Sequence, residues 1–568
     1  MASSSTLPPP IQDSVPLPSQ PLPTSTNPSS SRPDQHTQKY DRQLRLWASQ
    51  GQTALENANL LVINSNATAT STLKNLVLPG IGQFTILDPE LVKEEDLGVN
   101  FFLDPSSLGK SRAQESVKFL CELNVDVKGN ALVTSLEEFL KREGALKEYT
   151  LILAIDVVPS RVQGLLNRAW ENGIPVIKVE SYGFYGSLST QIEEITLVET
   201  HPESLIDLRL NSPFDELVEY ANTFNYASMD SATHGHVPAV IILIKALQEW
   251  KSTHEGNAPS GTKERKEFLE GVSKEKRASD EENFDEAVGL FRRAGNKPNI
   301  PEEIEKLFKD DSCQNLTSTS SNFWILLHSI HLFTQLASNP SHLLPLTGSL
   351  PDMKAHSQTY TTLQQIYRSK AKSDLAKVEE ILQEVLKKIG SEERVIGKEE
   401  VESFVKHSAW VKVLRGKKIS QDLEESSLKG KINQSLEEAS YSSPPDQSLS
   451  IHLAFLTSSL FYKLHSRYPG SSPTDTDGTS DHVECFRIAK EELLASLSYT
   501  DTDLPESLEK SIKELCRSSN STLPQTSALL GGLVAQEAIK LVTHQYVPVV
   551  GDTIVWDGIT SMTGRIKM

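Results

Sequence analysis

No stretch of this 568-residue chain approaches the run of roughly 20 apolar residues that a membrane-spanning helix needs. The nearest, Ala239 to Ile244, has the length of a core-helix segment. The N-terminus is rich in Pro and Ser rather than apolar, which argues against a secretory signal. Basic charge is in deficit: 56 Lys and Arg against 75 Asp and Glu leave a net charge of −19, which argues against an intrinsic nucleic-acid binder. Cysteine is scarce. Cys121, Cys313, Cys485 and Cys516 lie far apart and no pair has CxxC spacing, which disfavours a structural zinc site. Scattered thiols imply a reducing compartment, cytoplasmic and/or nuclear. No internal repeat of fixed period is present.

A local absence matters more. Leu60 to Asp88 predicts a strand-helix-strand unit. Leu60-Leu61-Val62-Ile63 is long enough for a buried strand. Leu73, Leu76 and Val77 have helical spacing, Gly80-Ile81-Gly82 breaks the helix, and Phe84 to Leu87 forms a second strand ending in Asp88. An acid about 20 positions after the first turn suits a ribose hydroxyl. Yet the turn Asn64-Ser65-Asn66-Ala67 contains no glycine. Backbone N–H groups approach a pyrophosphate only where side chains are absent. The nucleotide-binding frame is present and its phosphate loop is not.

Around this unit, residues 1–38 read as a Pro/Ser-rich tail that cannot bury enough apolar surface to fold. Order is expected from Lys39, where Leu44, Leu46, Trp47 and Leu55 make one face of a short helix and Arg42 and Arg45 project from the other. Gly109 to Arg112 opens a further helix, and the cations Lys110 and Arg112 at its start oppose the helix dipole, so either could face an anion. Strands are expected near Ala131 to Thr134, at Leu151 to Asp156, at Pro175 to Glu180 and, antiparallel, at Leu188 to Leu197. Asp88 and Asp156 end strands and so face the crevice where open α/β sheets bind ligands.

From Pro213 helical patterns take over, the longest being Tyr360 to Ile389, read as one long helix or two. Residues 251–282, 440–447 and 468–481 read as mobile or exposed loops. Thr526 to Thr543 is a helix apolar almost all round, with Gly531, Gly532 and Ala535 allowing another backbone close. Tyr546 to Val550 and Thr553 to Trp556 are expected to pair across a turn at Gly551-Asp552. The helical region is therefore an insertion in an α/β domain that resumes at the end: 39–212 and 516–568 around 213–515.

The remaining candidate chemistry is thin. His234-Gly235-His236 lacks a third metal ligand nearby and reads as a loop. Cys516, followed by Arg517, is the one cysteine with a basic neighbour, and Cys121 on an apolar helix face reads as core. Gly80-Ile81-Gly82 follows the helix, the wrong side for a phosphate loop. Asp88, Asn100, Arg112 and Asp156 converge on a plausible nucleotide rim.

Tyr40 to Trp47, Lys74-Asn75-Leu76, Gly80-Ile81-Gly82 with Asp88, Asn100-Phe101-Phe102, Gly109 to Arg112 and Ala535-Gln536-Glu537 together resemble the adenylation domain of ubiquitin-like-modifier activating enzymes. Phe323 to Leu326, Leu350 to Met353 and the size of the insertion narrow the likeness to regulatory subunits of heterodimeric Rub/Nedd-type (neddylation) activating enzymes. The resemblance runs from about Lys39 to the end. It implies a Rossmann-like α/β fold of the ThiF/MoeB adenylation type, interrupted by a large, mainly helical insertion. It places the family's turn glycines at Asn64, Asn66, Ala67 and Ala69. Active members read Arg-Gln-Phe-Leu at Asn100 to Leu103, so their arginine becomes Asn100, and their next lysine becomes Arg112.

The implied function is regulatory and non-catalytic. The chain would pair with a catalytic subunit that adenylates the modifier with ATP and Mg²⁺ at its own site and carries the acceptor cysteine. Arg42 matches the arginine that one half of such a pair supplies to the other half's nucleotide. The cofactor-site residues here, Asp88, Asn100, Arg112 and Asp156, would be vestigial. The insertion would be half of a cysteine domain without a nucleophile, framing the modifier. Further partners would be the modifier and, indirectly, a conjugating enzyme; no nucleic acid, membrane or metal site is expected. The alternatives are a self-sufficient homodimeric adenylating enzyme, a dinucleotide oxidoreductase and a helical scaffold.

Overall fold

The computed structural model describes residues 33–198, 207–295, 299–419, 428–442, 445–472, 479–519 and 521–567. Most of the expected tail, 1–32, lies outside them, but its last residues already belong to a helix, Gln35–Lys39, capped by the Asp34 side chain.

The predicted strand-helix-strand unit lies towards one edge of an eight-stranded sheet. Its strands are β1 (Asn59–Ile63), β2 (Gln83–Leu87), β3 (Lys128–Leu132), β4 (Leu151–Ile155), β5 (Val176–Tyr182), β6 (Tyr185–Gln191), β9 (Asp552–Asp557) and β10 (Met562–Lys567); β7 (Glu194–Val198) and β8 (Val411–Arg415) form a separate ribbon. The order is β10-β9-β6-β5-β4-β1-β2-β3. β3, β2, β1, β4 and β5 run parallel, and β6, β9 and β10 are antiparallel. All five residues of β1 and of β4 are buried, as continuous apolar strands must be when helices cover both faces. One face carries Leu60, Val62, Ile86 and Leu153 against Leu73, Leu76 and the C-terminal helix; the other carries Leu61, Ile63 and Ile152 against Val162 and Leu165. The order reverses between β1 and β4, and the crevice outside their carboxyl ends is the ligand position of such sheets.

The chain returns to this sheet after its insertion, as expected, through β9 and β10. The apolar helix Pro524–Thr543 packs on the cradle helix Ala67–Val77. Gly531 makes that possible: a Cβ there would stand 2.7 Å from Ser71 Cβ and 2.9 Å from the Thr72 nitrogen. Gly532, one position on, points to open space.

Several expectations need correction. Leu188 to Leu197 is two strands, because β6 pairs with β5 and β9 whereas β7 leaves to pair with β8 in the insertion. Tyr546 to Val550 is not a strand; β9 pairs instead with β6 and β10, which occupy both its edges. Residues 251–282 include a helix, Gly261–Lys274, anchored by Phe268 and Val272. Within 468–481, Gly470 sits against the Cys516 carbonyl with a positive φ, and Arg467 forks onto buried Asp481 at 2.6 and 2.7 Å; residues 473–478 lie outside the description. Tyr360 to Ile389 is one 32-residue helix, Ser357–Lys388. The boundary at 515/516 falls inside the helix Glu506–Ser518. That helix and Ser448–His465 share a core with Tyr182, Tyr185, Val555 and Ile566 of the sheet, so the end of the insertion belongs to the sheet domain's packing. Arg415 ties β8 to the insertion by gripping both oxygens of Asp310 at 2.8 and 2.9 Å.

Gly531→Val should lower stability by about 2–3 kcal/mol, because the clash is with backbone that cannot move aside. Gly532→Ala, with nothing in its way, should be neutral or raise stability by up to about 1 kcal/mol. Denaturant midpoints of the two variants test this packing.

Candidate functional site

Three elements meet at the crevice: the turn after β1, the end of β4, and the start of the helix Arg112–Cys121. Asn64 adopts φ +82°, the left-handed conformation for which glycine is the usual choice and asparagine the best-tolerated substitute. The turn thus keeps a glycine-like backbone while carrying side chains. Asn64 Oδ1 accepts the Ser65 N–H at 2.8 Å, which turns that donor inward.

The helix N-terminus, where an anion would sit, is already capped. Asn66 Oδ1 accepts the Ala69 N–H at 3.0 Å, and Asn66 Nδ2 donates to Asp156 at 2.6 Å. Ala67 and Ala69 are buried, and the Thr68 hydroxyl bonds Ser181 and Ser527.

The four rim candidates do come together, and each is consumed by its neighbours. Arg112, the residue at the family's lysine position, reaches inward. Its Nε donates to Asp88 at 2.7 Å, Nη1 to Asp96 at 3.1 Å and Nη2 to Asn64 at 2.9 Å. The second oxygens of Asp88 and Asp96 accept the N–H groups of Glu90 and Lys93. Burial works against the Arg112 charge, but Asp88 and Asp96 outweigh it and hold the guanidinium even more firmly protonated. Asn100, buried, accepts from the Thr70 hydroxyl at 2.8 Å and from the Phe102 N–H, and donates to the Ser65 carbonyl. Asp156 accepts three bonds at 2.6 Å, two from Ser181 and one from Asn66. Burial nevertheless pushes its carboxyl up to about 6, against the downward pull of those bonds. These residues fit a nucleotide phosphate poorly: the Arg112 guanidinium, the Asn66 amide and the Ser65 and Ala69 N–H groups already have acceptors within the chain. Asp96 was not anticipated, and Glu94-Glu95-Asp96 shows no spacing that would single it out.

Arg42 is the opposite case. It lies on the first turn of Asp41–Asn57, is exposed, and has no hydrogen-bond or ion-pair partner among the described residues. Arg45 is tied to Asp41 at 3.1 Å. The helix carrying them kinks at Trp47–Ala48, where Ala48 has φ +55°. The kink turns Leu46 outward to 52% exposure, so it leaves the apolar face expected of it, while Trp47 and Leu55 stay buried. The carbonyls around the kink are answered from the far end of the chain. Gln545 Nε2 donates to the Trp47 oxygen at 2.9 Å and the Tyr546 hydroxyl to the Leu46 oxygen at 3.0 Å.

The other candidates fall away. Lys110 is exposed and lies 3.9 Å from Glu115 rather than facing an anion site. His234 is buried against Glu281 at 2.7 Å and stacks on Phe284; His236 stacks on His356. Among the described residues no group of three His, Cys, Asp or Glu could hold a metal ion. Burial raises the thiols of Cys121 and Cys313, the latter to about 12, and Cys485 and Cys516 are buried, so none has the surroundings of a nucleophile.

Arg112→Ala should destabilise the fold by about 3 kcal/mol by stranding two acids in a closed site, and Arg112→Lys should recover only part, since one ammonium cannot reach three acceptors. Chemical denaturation measures both. Asp156 gives a pH signature. Its folded pKa lies above the ordinary carboxyl value of 3.8, so the native chain holds a proton that the unfolded chain releases. The group's contribution is whole below that value and is lost as pH rises towards 6. The stability deficit of Asp156→Asn relative to the parent should therefore shrink, by roughly 1–2 kcal/mol, between about pH 4.5 and 6.5.

The ThiF family matches residues 40–568. The chain is 34% identical over 540 residues to a Danio rerio protein named "NEDD8-activating enzyme E1 regulatory subunit", covering 94% of this chain and 98% of that one. It is 35% identical to the Gallus gallus protein of the same name, with the same coverage, and 34% identical to the Drosophila melanogaster one, covering 94% and 97%. With the parallel sheet, its reversal between β1 and β4, and the glycine-like turn after β1, these likenesses lead to one assignment: the chain belongs to the ThiF family.

Proposed function

We propose that this chain is the regulatory, non-catalytic half of a heterodimeric activating enzyme for a NEDD8-type modifier. Its partner adenylates the modifier with ATP and Mg²⁺ and then takes it onto a cysteine. The observation that carries the reading is the contrast between two arginines. Arg112 is spent inside the chain's own cradle, whereas Arg42 stands exposed and unpaired. A cradle whose arginine and turn asparagines are already paired weighs against the self-sufficient adenylating enzyme, and three buried thiols, with the half-buried Cys121 raised by its surroundings, weigh against an acceptor cysteine in this half.

The chemistry left to the chain is to complete another site. A guanidinium held on a helix start can enter a neighbouring nucleotide site and neutralise phosphate charge that grows in the adenylation transition state. The partner surface is supplied by the same layer. Leu46 and Leu529 are 52% and 37% exposed, Gly532 faces open space, and Phe101 is 91% exposed beside buried Asn100. Leu46, Leu529 and Gly532 lie on two helices in contact, Asp41–Asn57 and Pro524–Thr543, the first of which carries Arg42, and a partner covering them would bring its site towards Arg42. The insertion frames the modifier, and a conjugating enzyme is met indirectly through the partner. The setting is cytoplasmic or nuclear, in keeping with the free thiols.

Co-purification with a candidate catalytic subunit, then adenylate and thioester assays with and without this chain, tests the whole reading. Both products should require it; robust pyrophosphate exchange by this chain alone would overturn it. In the assembled pair, Arg42→Ala should cut adenylate formation by about 10²-fold while leaving assembly intact. Unchanged adenylation would remove Arg42 from the mechanism.

A further inference from the structure

Away from the cradle, two thiols lie unusually close together. Cys485 is on the helix Thr479–Ile488 and Cys516 is on Glu506–Ser518, 31 positions later. Their sulfurs are 3.9 Å apart and the residues are 1% and 2% exposed. A disulfide bond is about 2.05 Å long, so the sulfurs need to approach by a little under 2 Å across two helices already in contact. Neither thiol has a task in the adenylation chemistry.

The surroundings say how such a bond would form. The hydrogen bond from Cys516, together with burial, pushes the Cys485 thiol well up, so the closed pair is inert to oxidants. Reaction therefore requires the two helices to part briefly. The helix Thr479–Ile488 is suited to part because it runs directly into a π-helical stretch, Ala489–Leu494, whose wider turns leave slack in register. Its outer side is open, with Val483 69% exposed. Its start is held by the ion pair of Asp481 with Arg467, which is one-third exposed. Lys513 lies over the Phe486 ring at 5.5 Å and draws the two helices back together.

We propose that Cys485 and Cys516 are a modification site: they form a reversible intrachain disulfide by exchange with a small-molecule disulfide such as oxidised glutathione. When the helices part, one cysteine loses its proton and its thiolate attacks a glutathione sulfur. The glutathione S–S bond breaks and the first glutathione leaves as a thiolate that takes up the proton. The second cysteine, deprotonated in turn, attacks the protein sulfur of the mixed disulfide and expels the second glutathione. Two protein thiols are oxidised, and one glutathione disulfide is reduced to two thiols. The product staples two helices that share a core with Tyr182, Tyr185 and Val555 of the sheet, and so fixes the cover over that face.

The test uses the full-length protein in graded mixtures of oxidised and reduced glutathione, followed by acid quenching, alkylation and peptide mass spectrometry. A linked Cys485–Cys516 peptide should appear under native conditions and vanish on adding excess reduced glutathione, while Cys121 and Cys313 stay singly alkylated. The oxidised form should melt about 3–5 °C higher than the reduced form. Cys485→Ala should abolish both the linked peptide and the shift. The proposal falls if the linked peptide forms only in denaturant, or if oxidation under native conditions leaves both cysteines free or only glutathionylated. The readout on the parent protein stands even if the variant folds poorly.

Discussion

One half-buried guanidinium shapes what this sheet can do. In a family whose crevice receives phosphate, Arg112 points inward and takes Asp88, Asp96 and Asn64 as its partners. An arginine has five donors in a rigid fork, so it can hold three acceptors at once where a lysine offers a single point charge. Removing the charge would strand two acids out of water, and removing an acid would strand the charge. The cluster is therefore far harder to dissolve one residue at a time than a surface ion pair is. In the turn, Asn64 and Asn66 accept the Ser65 and Ala69 N–H groups. The result is a set of internal bonds that fasten β1, β2 and β4 to the helices at their carboxyl ends.

Closing one site leaves the fold free to serve another. The sheet keeps its parallel order and its reversal point. Pro524–Thr543 can lie directly on the cradle helix because Gly531 has no side chain. The same helical layer carries Leu46 and Leu529 to the surface. A rigid frame with an exposed apolar side and a free arginine at its edge suits a part that completes an assembly.

Much of this was legible in the sequence, and the exceptions have physical causes. β1, β2, β4 and β5 were visible because strands buried on both faces are runs of apolar residues, whereas β3, Lys-Gly-Asn-Ala-Leu at the sheet edge, was expected a few residues late. The absence of a glycine phosphate loop was visible because the turn reads Asn64-Ser65-Asn66-Ala67, with a side chain at every position. The closing of the cradle by Arg112 was not, since a helix-start arginine looks the same whether it faces solvent, an anion or two acids brought from elsewhere. Asp96 was invisible for the same reason. Leu188 to Leu197 carries apolar residues at 188, 192, 195 and 197, and so loose an alternation does not tell one strand from two that pair in different sheets. Tyr546 to Val550 has strand composition, but both edges of β9 are taken by β6 and β10, which only the fold reveals. The kink at Trp47–Ala48 lacks the proline or glycine pair that would announce it.

That kink also orders events in time. The bend that aims the Arg42 arm is closed by Gln545 and Tyr546, about 500 positions downstream. β9 and β10, which complete the sheet, come later still. During synthesis the N-terminal strands can form as they emerge, and Lys39 and Tyr40 can bond Asn124 and Asp126 early, but the carbonyls at the kink go unanswered until nearly the whole chain has left the ribosome. A nascent or C-terminally truncated chain would lack these two bonds at the bend, so the geometry of the N-terminal helix is completed last.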